Sequence, residues 1–217
     1  ASLDGAYLGR ASLDGAHLDY ASLNGAFLQF ASLDGARLDY ASLDGVSLQV
    51  ASLDNAGLLE AGLDGAHLWG ASLDGAEAAG ASLDGAVLWR ASLNGALLFD
   101  ACLEGAQAKA TKFQGALVQG ADLRGAIFRQ AEVDGKTHIE DFNNRDLKID
   151  KGTDFRGVGL DAATVQPRRL GQLQYNCRRL EWVEWYQEHW WLQWPTRLFW
   201  HFSDYGRSTL RIILTFM

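Results

Sequence analysis

A five-residue beat runs without a gap through the first 135 residues, ASLDG-AYLGR-ASLDG-AHLDY and onward, as 27 consecutive pentapeptides. The first position is Ala except at Val46 and Thr111. The third is Leu in 21 of the units, and Ala78, Ala108, Phe113, Val118, Phe128 or Val133 in the others. A period of five fits neither a helix nor a flat strand, and it is far shorter than the repeats of helical solenoids. A coil with four short sides satisfies it. The Leu points inward at the middle of each side. The Ala points inward near the corner, where only a small side chain fits. Asp-Gly and Asn-Gly supply the corner itself, because Asx bonds to nearby backbone and Gly takes positive φ without a Cβ penalty. Four sides make a coil of 20 residues, and coils stack at the ordinary strand spacing of about 4.8 Å. Stacking encloses an apolar interior that no single unit can bury alone.

The tandem A(S/D/N)LXX pattern, in strict register over 1–135, resembles the pentapeptide repeat family. That resemblance implies an all-β solenoid, a right-handed quadrilateral β-helix. Residue 1 falls in full register and is not Met, so the sequence is expected to be a trimmed piece lacking its N-terminal cap.

A second beat lies inside the first. Odd units are nearly constant (ASLDG, ASLNG), whereas even units vary (AYLGR, AHLDY, AFLQF, AVLWR). Two opposite sides are thus polished with Ser, Asp and Gly, and the other two carry bulky outward groups. Residues 20 apart stack, which predicts surface ladders of Tyr7 over Phe27, Tyr20 over Tyr40, and Trp69 over Trp89. Such columns form either an interface patch or ladders that stabilise adjacent coils. The polished sides carry Asp14, Asp34, Asp54 and Asp74 in one column and Asp44, Asp64, Asp84 and Glu104 in the other. Turn chemistry explains these columns better than metal binding. Asn24, Asn94 and Gln114 interrupt them, and the Gly-rich nonapeptide signature of calcium sites is absent. No metal or cofactor is expected.

After Gly135 the register breaks. Residues 136–165 read as irregular final coils with a loop near 148–152. Phe142 and Leu147 keep the five-residue spacing, and Phe155, Leu160 and Val165 resume it in a shifted phase, with Thr153, Val158 and Ala163 in the small position. Gln166-Pro167 ends the coil, and His138 reads as structural.

Residues 166–217 are a different material, holding six of the chain's 8 Trp and 7 Arg. A helix is predicted from about 168 to 193, stopping before Pro195; Ser208 could cap a later one. Trp with interspersed Arg suits the water–lipid boundary. The residues singled out for membrane or interface contact are Trp190, Trp191, Trp194, Arg197 and Phe199, then Trp200, Tyr205, Arg207, Arg211 and Ile212. The alternative is that the first helix caps the open end of the coil or mediates dimerisation. The segment WLQWPTRLFWHFSDYGRSTLRIILTF is similar to the part that follows the repeats in bacterial pentapeptide proteins with C-terminal transmembrane helices, some of them potassium-channel-like. That similarity implies a repeat domain on the cytoplasmic side of a membrane.

Charge divides the chain in the same place. Residues 1–135 carry 17 acids and 7 bases, whereas 166–217 carry 4 acids and 7 bases. Cys102 and Cys177 give neither a disulfide framework nor zinc spacing. No phosphate-binding glycine loop, nucleophile elbow or ligand cluster is present, so the reading is non-enzymatic. The expected role is a scaffold presenting surfaces for a protein partner or homo-oligomer, as the cytosolic domain of a membrane-associated, channel-like protein. The family resemblance supplies an alternative, a soluble acidic mimic of DNA acting on an enzyme such as gyrase. Direct nucleic-acid binding is disfavoured by the acidic rod.

Overall fold

The computed structural model describes residues 1–141 and 146–188. Through the regular repeats the second residue of each pentapeptide pairs in parallel with the residue 20 further on: Ser2 with Ser22, Tyr7 with Phe27, Ser12 with Ser32, His17 with Arg37. One turn of the coil therefore consumes four pentapeptides, and the rod has four sides. They are called first, second, third and fourth here, after the pentapeptides beginning at Ala1, Ala6, Ala11 and Ala16.

The rod can be understood by asking where each backbone N–H goes. Leu3 N–H donates to the Ser22 carbonyl (2.6 Å) and Gly5 N–H to that of Asn24 (2.9 Å), both in the next coil. Ser22 N–H donates back to Ala1 (2.9 Å), and Ala6 N–H closes the corner onto Leu3 (3.0 Å). Positions one, two, three and five are thereby paired by backbone alone. Position four is left over. On the first and third sides the Asx side chain of the coil before takes it: Asp34 N–H donates to Asp14 Oδ1 (3.0 Å), Asp54 N–H to Asp34 Oδ1 (3.0 Å) and Asp74 N–H to Asp54 Oδ1 (3.0 Å). The same oxygen also accepts the hydroxyl of the next coil's Ser, at 2.5 Å for Ser52 on Asp34 and for Ser72 on Asp54. Ser and Asp are thus two halves of one inter-coil staple, which explains why the odd units hardly vary. Asn24 can stand in because only an acceptor oxygen is needed; it receives Ser42 Oγ at 2.7 Å and Asp44 N–H at 2.8 Å.

The corners differ from expectation. Gly5, Gly15 and their equivalents have φ near +63°, as turn chemistry requires. On the second and fourth sides the same left-handed position is filled by Tyr20 (φ 58°), Val50 (φ 58°) and Arg90 (φ 57°), among others. Each costs on the order of 1–2 kcal/mol against a right-handed residue. In exchange, the chain gains an outward side chain at the corner.

The interior is a column of fully buried Leu and Ala from Ala21 to Leu103, while Leu3, Leu8, Leu13 and Leu18 of the first coil are only partly covered. Towards the other end aromatics replace Leu: Phe128 stacks on Phe155 at 4.5 Å and meets Phe113 edge-on at 5.6 Å. Thr111, Thr137 and Thr153 sit in the Ala position with no exposed surface. Each hydroxyl donates to a carbonyl of an earlier coil, those of Leu88 (2.6 Å), Phe113 (2.8 Å) and Leu123 (2.8 Å).

The last coil stays in the stack by absorbing extra residues at its corners. Leu117 pairs with His138, Asp122 with Lys148 and Ile127 with Asp154. The strand pair β1 (His138–Ile139) and β2 (Thr164–Val165) completes it in parallel. The loop expected near 148–152 is smaller than that, because Lys148 is inside the ladder and the turn falls at Lys151-Gly152. Asp150 holds this widened corner, accepting the N–H groups of Gly125 (2.9 Å), Gly152 (2.8 Å) and Thr153 (3.1 Å). Asp134 holds the corresponding one at Gly135-Lys136, accepting the N–H groups of Gly115 (2.8 Å) and Lys136 (3.0 Å). Leu147 is buried in the Ala position before Lys148, two residues short of the third position its spacing predicts. Phe142 lies outside the described residues.

Helix α1 (Pro167–Glu188) then closes the end of the rod, with Pro at the first helical position where its missing N–H costs nothing. Leu173 is fully buried, and Leu170 and Cys177 pack beside it against the core. Polar ties fix its angle: Arg169 to Asp141 (2.7 Å), Asn176 Nδ2 to the Asp150 carbonyl (2.6 Å), and Glu184 to Arg129 (2.5 Å) and Arg156 (2.7 Å).

If the staple is what joins coils on the polished sides, Asp54→Ala strands a backbone N–H and a hydroxyl and lowers stability by about 1–3 kcal/mol. Asp54→Asn leaves it within about 0.5 kcal/mol. Urea unfolding followed by circular dichroism distinguishes them.

Candidate interaction surface

Because columns repeat every fourth pentapeptide, the outward chemistry of each side can be read along the rod. On the second side Tyr7 and Phe27 stack at 4.8 Å with planes 4° apart, and the Arg10 guanidinium lies 5.7 Å from the Phe30 ring centre. Val50, Trp69, Trp89 and Ile127 continue this column of exposed apolar groups. Its charges are Arg10, Arg90, Lys109, Arg129 and Arg156. The carboxylate of this side is Asp154, buried under Arg129 (2.6 Å) and Arg156 (2.8 Å).

The fourth side is the reverse. Tyr20 stacks on Tyr40 at 5.1 Å with planes 5° apart, and Leu59 follows. Asp19, Asp39, Glu60, Glu77 and Asp100 run along it, with Arg37 held on Asp19 at 3.3 Å. The field is felt locally: Glu60 foremost, then burial, pushes the Tyr40 phenol above its ordinary value. Sequence reasoning pooled the second and fourth sides as variable. Reading every fourth unit rather than every second would have separated a basic, aromatic side from an acidic one.

Two of the predicted ladders, Tyr7–Phe27 and Tyr20–Tyr40, are thus stacked, and Trp69 and Trp89 occupy the same position in successive coils, each about 45% exposed (44% and 45%). The ten residues singled out in the tail, from Trp190 to Ile212, lie outside the described residues. Trp182 and Trp185, in α1, meet edge to face at 5.4 Å. No helix of the described residues is long and apolar enough to cross a membrane. Helix α1 carries Arg168, Arg169, Arg178 and Arg179 as well as Glu181 and Glu184, and its Leu170, Leu173 and Cys177 pack against the core. The expected location on the cytoplasmic side of a membrane is corrected on that ground.

Among the described residues no group of three or more His, Cys, Asp and Glu could hold a metal ion. An open groove of about 390 Å³ runs between α1 and the last coil, beside Phe155, Leu160, Gln174 and Cys177. Burial pushes the Cys177 thiol above its ordinary pKa, which removes rather than creates nucleophilic character. His138 has its Nδ1 3.1 Å from Glu140.

A family model described as pentapeptide repeats matches the chain in eight copies, over residues 1–39, 31–70, 61–98 and 101–135. The chain belongs to the pentapeptide repeat family. Among solved structures it is similar to the pentapeptide repeat protein Rfr23 of the cyanobacterium Cyanothece 51142, at 32% identity over 42% of this chain and 62% of that one, with a TM-score of 0.42. It is also similar to HetL of the cyanobacterium Nostoc sp. strain PCC 7120, a pentapeptide repeat protein involved in heterocyst differentiation regulation. There the identity is 26% over 75% of this chain and 79% of that one, with a TM-score of 0.43. A trypsin-treated form of QnrB1, a plasmid-mediated fluoroquinolone resistance protein, aligns at a TM-score of 0.52 over 77% of this chain and 93% of that one, at 15% identity. This last likeness shows the fold, a right-handed β-helix solenoid. The chain spans 62% of the length of the Cyanothece protein, and the family match ends at residue 135. No curated protein sequence matches it.

On the first side one carboxylate stands apart from the staples, in the position that Ser holds elsewhere. Asp122, 5% exposed, is gripped by Arg124 (2.7 Å) and Lys148 (3.1 Å). Hydrogen bonds from Arg124 foremost hold its carboxyl at about 2, against an unperturbed 3.8. A depressed folded pKa contributes stability that is complete above the unfolded value and lost as pH falls through the folded one. Acid unfolding of the wild type therefore steepens between about pH 4 and 2, and Asp122→Asn flattens that limb while also lowering stability at neutral pH.

Proposed function

We propose that this pentapeptide-repeat scaffold is non-enzymatic and that its second side is the surface it presents to protein partners. One observation carries the reading. Among the described residues of the coils, the exposed large apolar side chains Tyr7, Phe27, Phe30, Val50, Trp69, Trp89 and Ile127 share that one side, and only Tyr20, Tyr40 and Leu59 lie elsewhere. An apolar stripe gathered on one face of a rod marks an interface, whereas scattered exposed residues do not. Aromatic residues and Arg are also the types enriched where interfaces carry their energy. The first and third sides are less suited, since their Ser and Asp groups are already bonded to neighbouring coils.

The same fact bears on the acidic-rod alternative, mimicry of DNA at an enzyme such as gyrase. Its carboxylates are evenly spaced, but on the polished sides one oxygen of each staple is committed to the next coil. The basic second side interrupts the acidic envelope. Mimicry therefore draws less support than a protein interface.

A photo-activatable cross-linker at position 69 tests the proposal, with one at position 64 on the first side as control. Adducts in expressing cells are expected from 69 and not from 64. Equal yields from both positions, or none from 69, would overturn it.

A further inference from the structure

We propose that the second side docks on the fourth side of another copy of this chain. The inference rests on reading the second side as an interaction face, and it names the occupant. Charge complementarity is the first argument. Arg10, Arg90 and Lys109 stand on one side of the rod, and Asp19, Glu60, Glu77 and Asp100 on the opposite one. Complementary potentials of this kind steer association and fix register.

Geometry is the second argument. Both sides belong to the same 20-residue coil, so their outward groups repeat at one identical axial spacing. Two rods laid side by side in parallel keep coil against coil along their whole length. In that register Arg10 faces the coil of Asp19, and Arg90 faces the coil of Asp100. Tyr7, Phe27, Phe30 and Val50 of the first three coils face Tyr20, Tyr40 and Leu59 of the same three coils. The stacked rings on each side have their flat faces against one another. What they present outward is a row of edges at coil spacing, a ribbed surface that a second ribbed surface of equal pitch can fill. The Asp columns on both adjoining sides repel phosphates.

The two surfaces lie on opposite sides of one rod, so the contact is heterologous and does not close. Each added copy exposes a fresh second side and a fresh fourth side. The product is an open row, not a dimer.

Sedimentation velocity on the full chain, over a concentration series at low and high salt, provides the test. The average mass should pass that of a dimer as concentration rises and fall back in high salt. Two surface variants then separate the mechanisms: Trp69→Ser with Arg90→Glu on the second side, and Glu60→Lys with Glu77→Lys on the fourth. Each alone should remain monomeric with an unchanged melting curve. Mixed, they should form a one-to-one complex that stops there, since each retains one intact face. A wild type that stays monomeric at every concentration would overturn the proposal, as would a fourth-side variant that still self-associates. If the wild type is monomeric while the cross-linker at position 69 captures a different protein, the interaction face stands and its occupant is not this chain. Binding of a single-stranded oligonucleotide that the second-side variant loses would equally contradict it.

Discussion

The rod depends on how one backbone group is satisfied. A square coil of pentapeptides pairs four of every five N–H groups through backbone alone and leaves the fourth-position N–H without a carbonyl. Burying or half-burying such a donor unpaired costs about 1–3 kcal/mol, and the loss would recur at every coil. On the first and third sides the Asp or Asn at the same position one coil earlier removes it, and Ser two residues before that position shares the acceptor. A side chain is thereby made a regular member of the backbone ladder. That requirement fixes the sequence of two sides almost completely.

The division of labour follows. Sides bound to ASLDG have no outward groups to spare, so variation is confined to the second and fourth sides. There the corner is built from residues such as Tyr20 and Val50 in a left-handed conformation. The strain is tolerable because the flanking ladders over-determine the backbone. Side chains placed this way stand at the rod's edges, where they can reach another surface. The segregation of Arg with aromatic groups on one side and carboxylates with Tyr on the other is then a property of the rod as a whole, invisible in any one pentapeptide.

Much of this was legible from the chain alone. The beat of five, the inward Leu and Ala, and the stacking of residues 20 apart are local regularities, and Tyr7 over Phe27 follows from counting. The staple was not legible, because its members are 18 and 20 residues apart and meet only once the coil exists. The Asp columns accordingly read as turn residues, which was half of their role. Leu147 was misplaced because a one-residue widening at Gly135-Lys136 shifts the phase, and the five further residues inserted before Lys148 preserve that shift. The role of α1 was left open between capping and other tasks. Leu173 against the core and the Arg169–Asp141 pair show it closing the end of the coil, as terminal elements of solenoids must.

Amide hydrogen exchange, resolved residue by residue, tests the central claim most directly. The account predicts that the N–H groups of Asp34, Asp54 and Asp74 are protected to the same degree as those of Leu33, Leu53 and Leu73, which donate to backbone carbonyls. Exchange of the three Asp amides at the rate of an open turn, with the Leu amides protected, would contradict it.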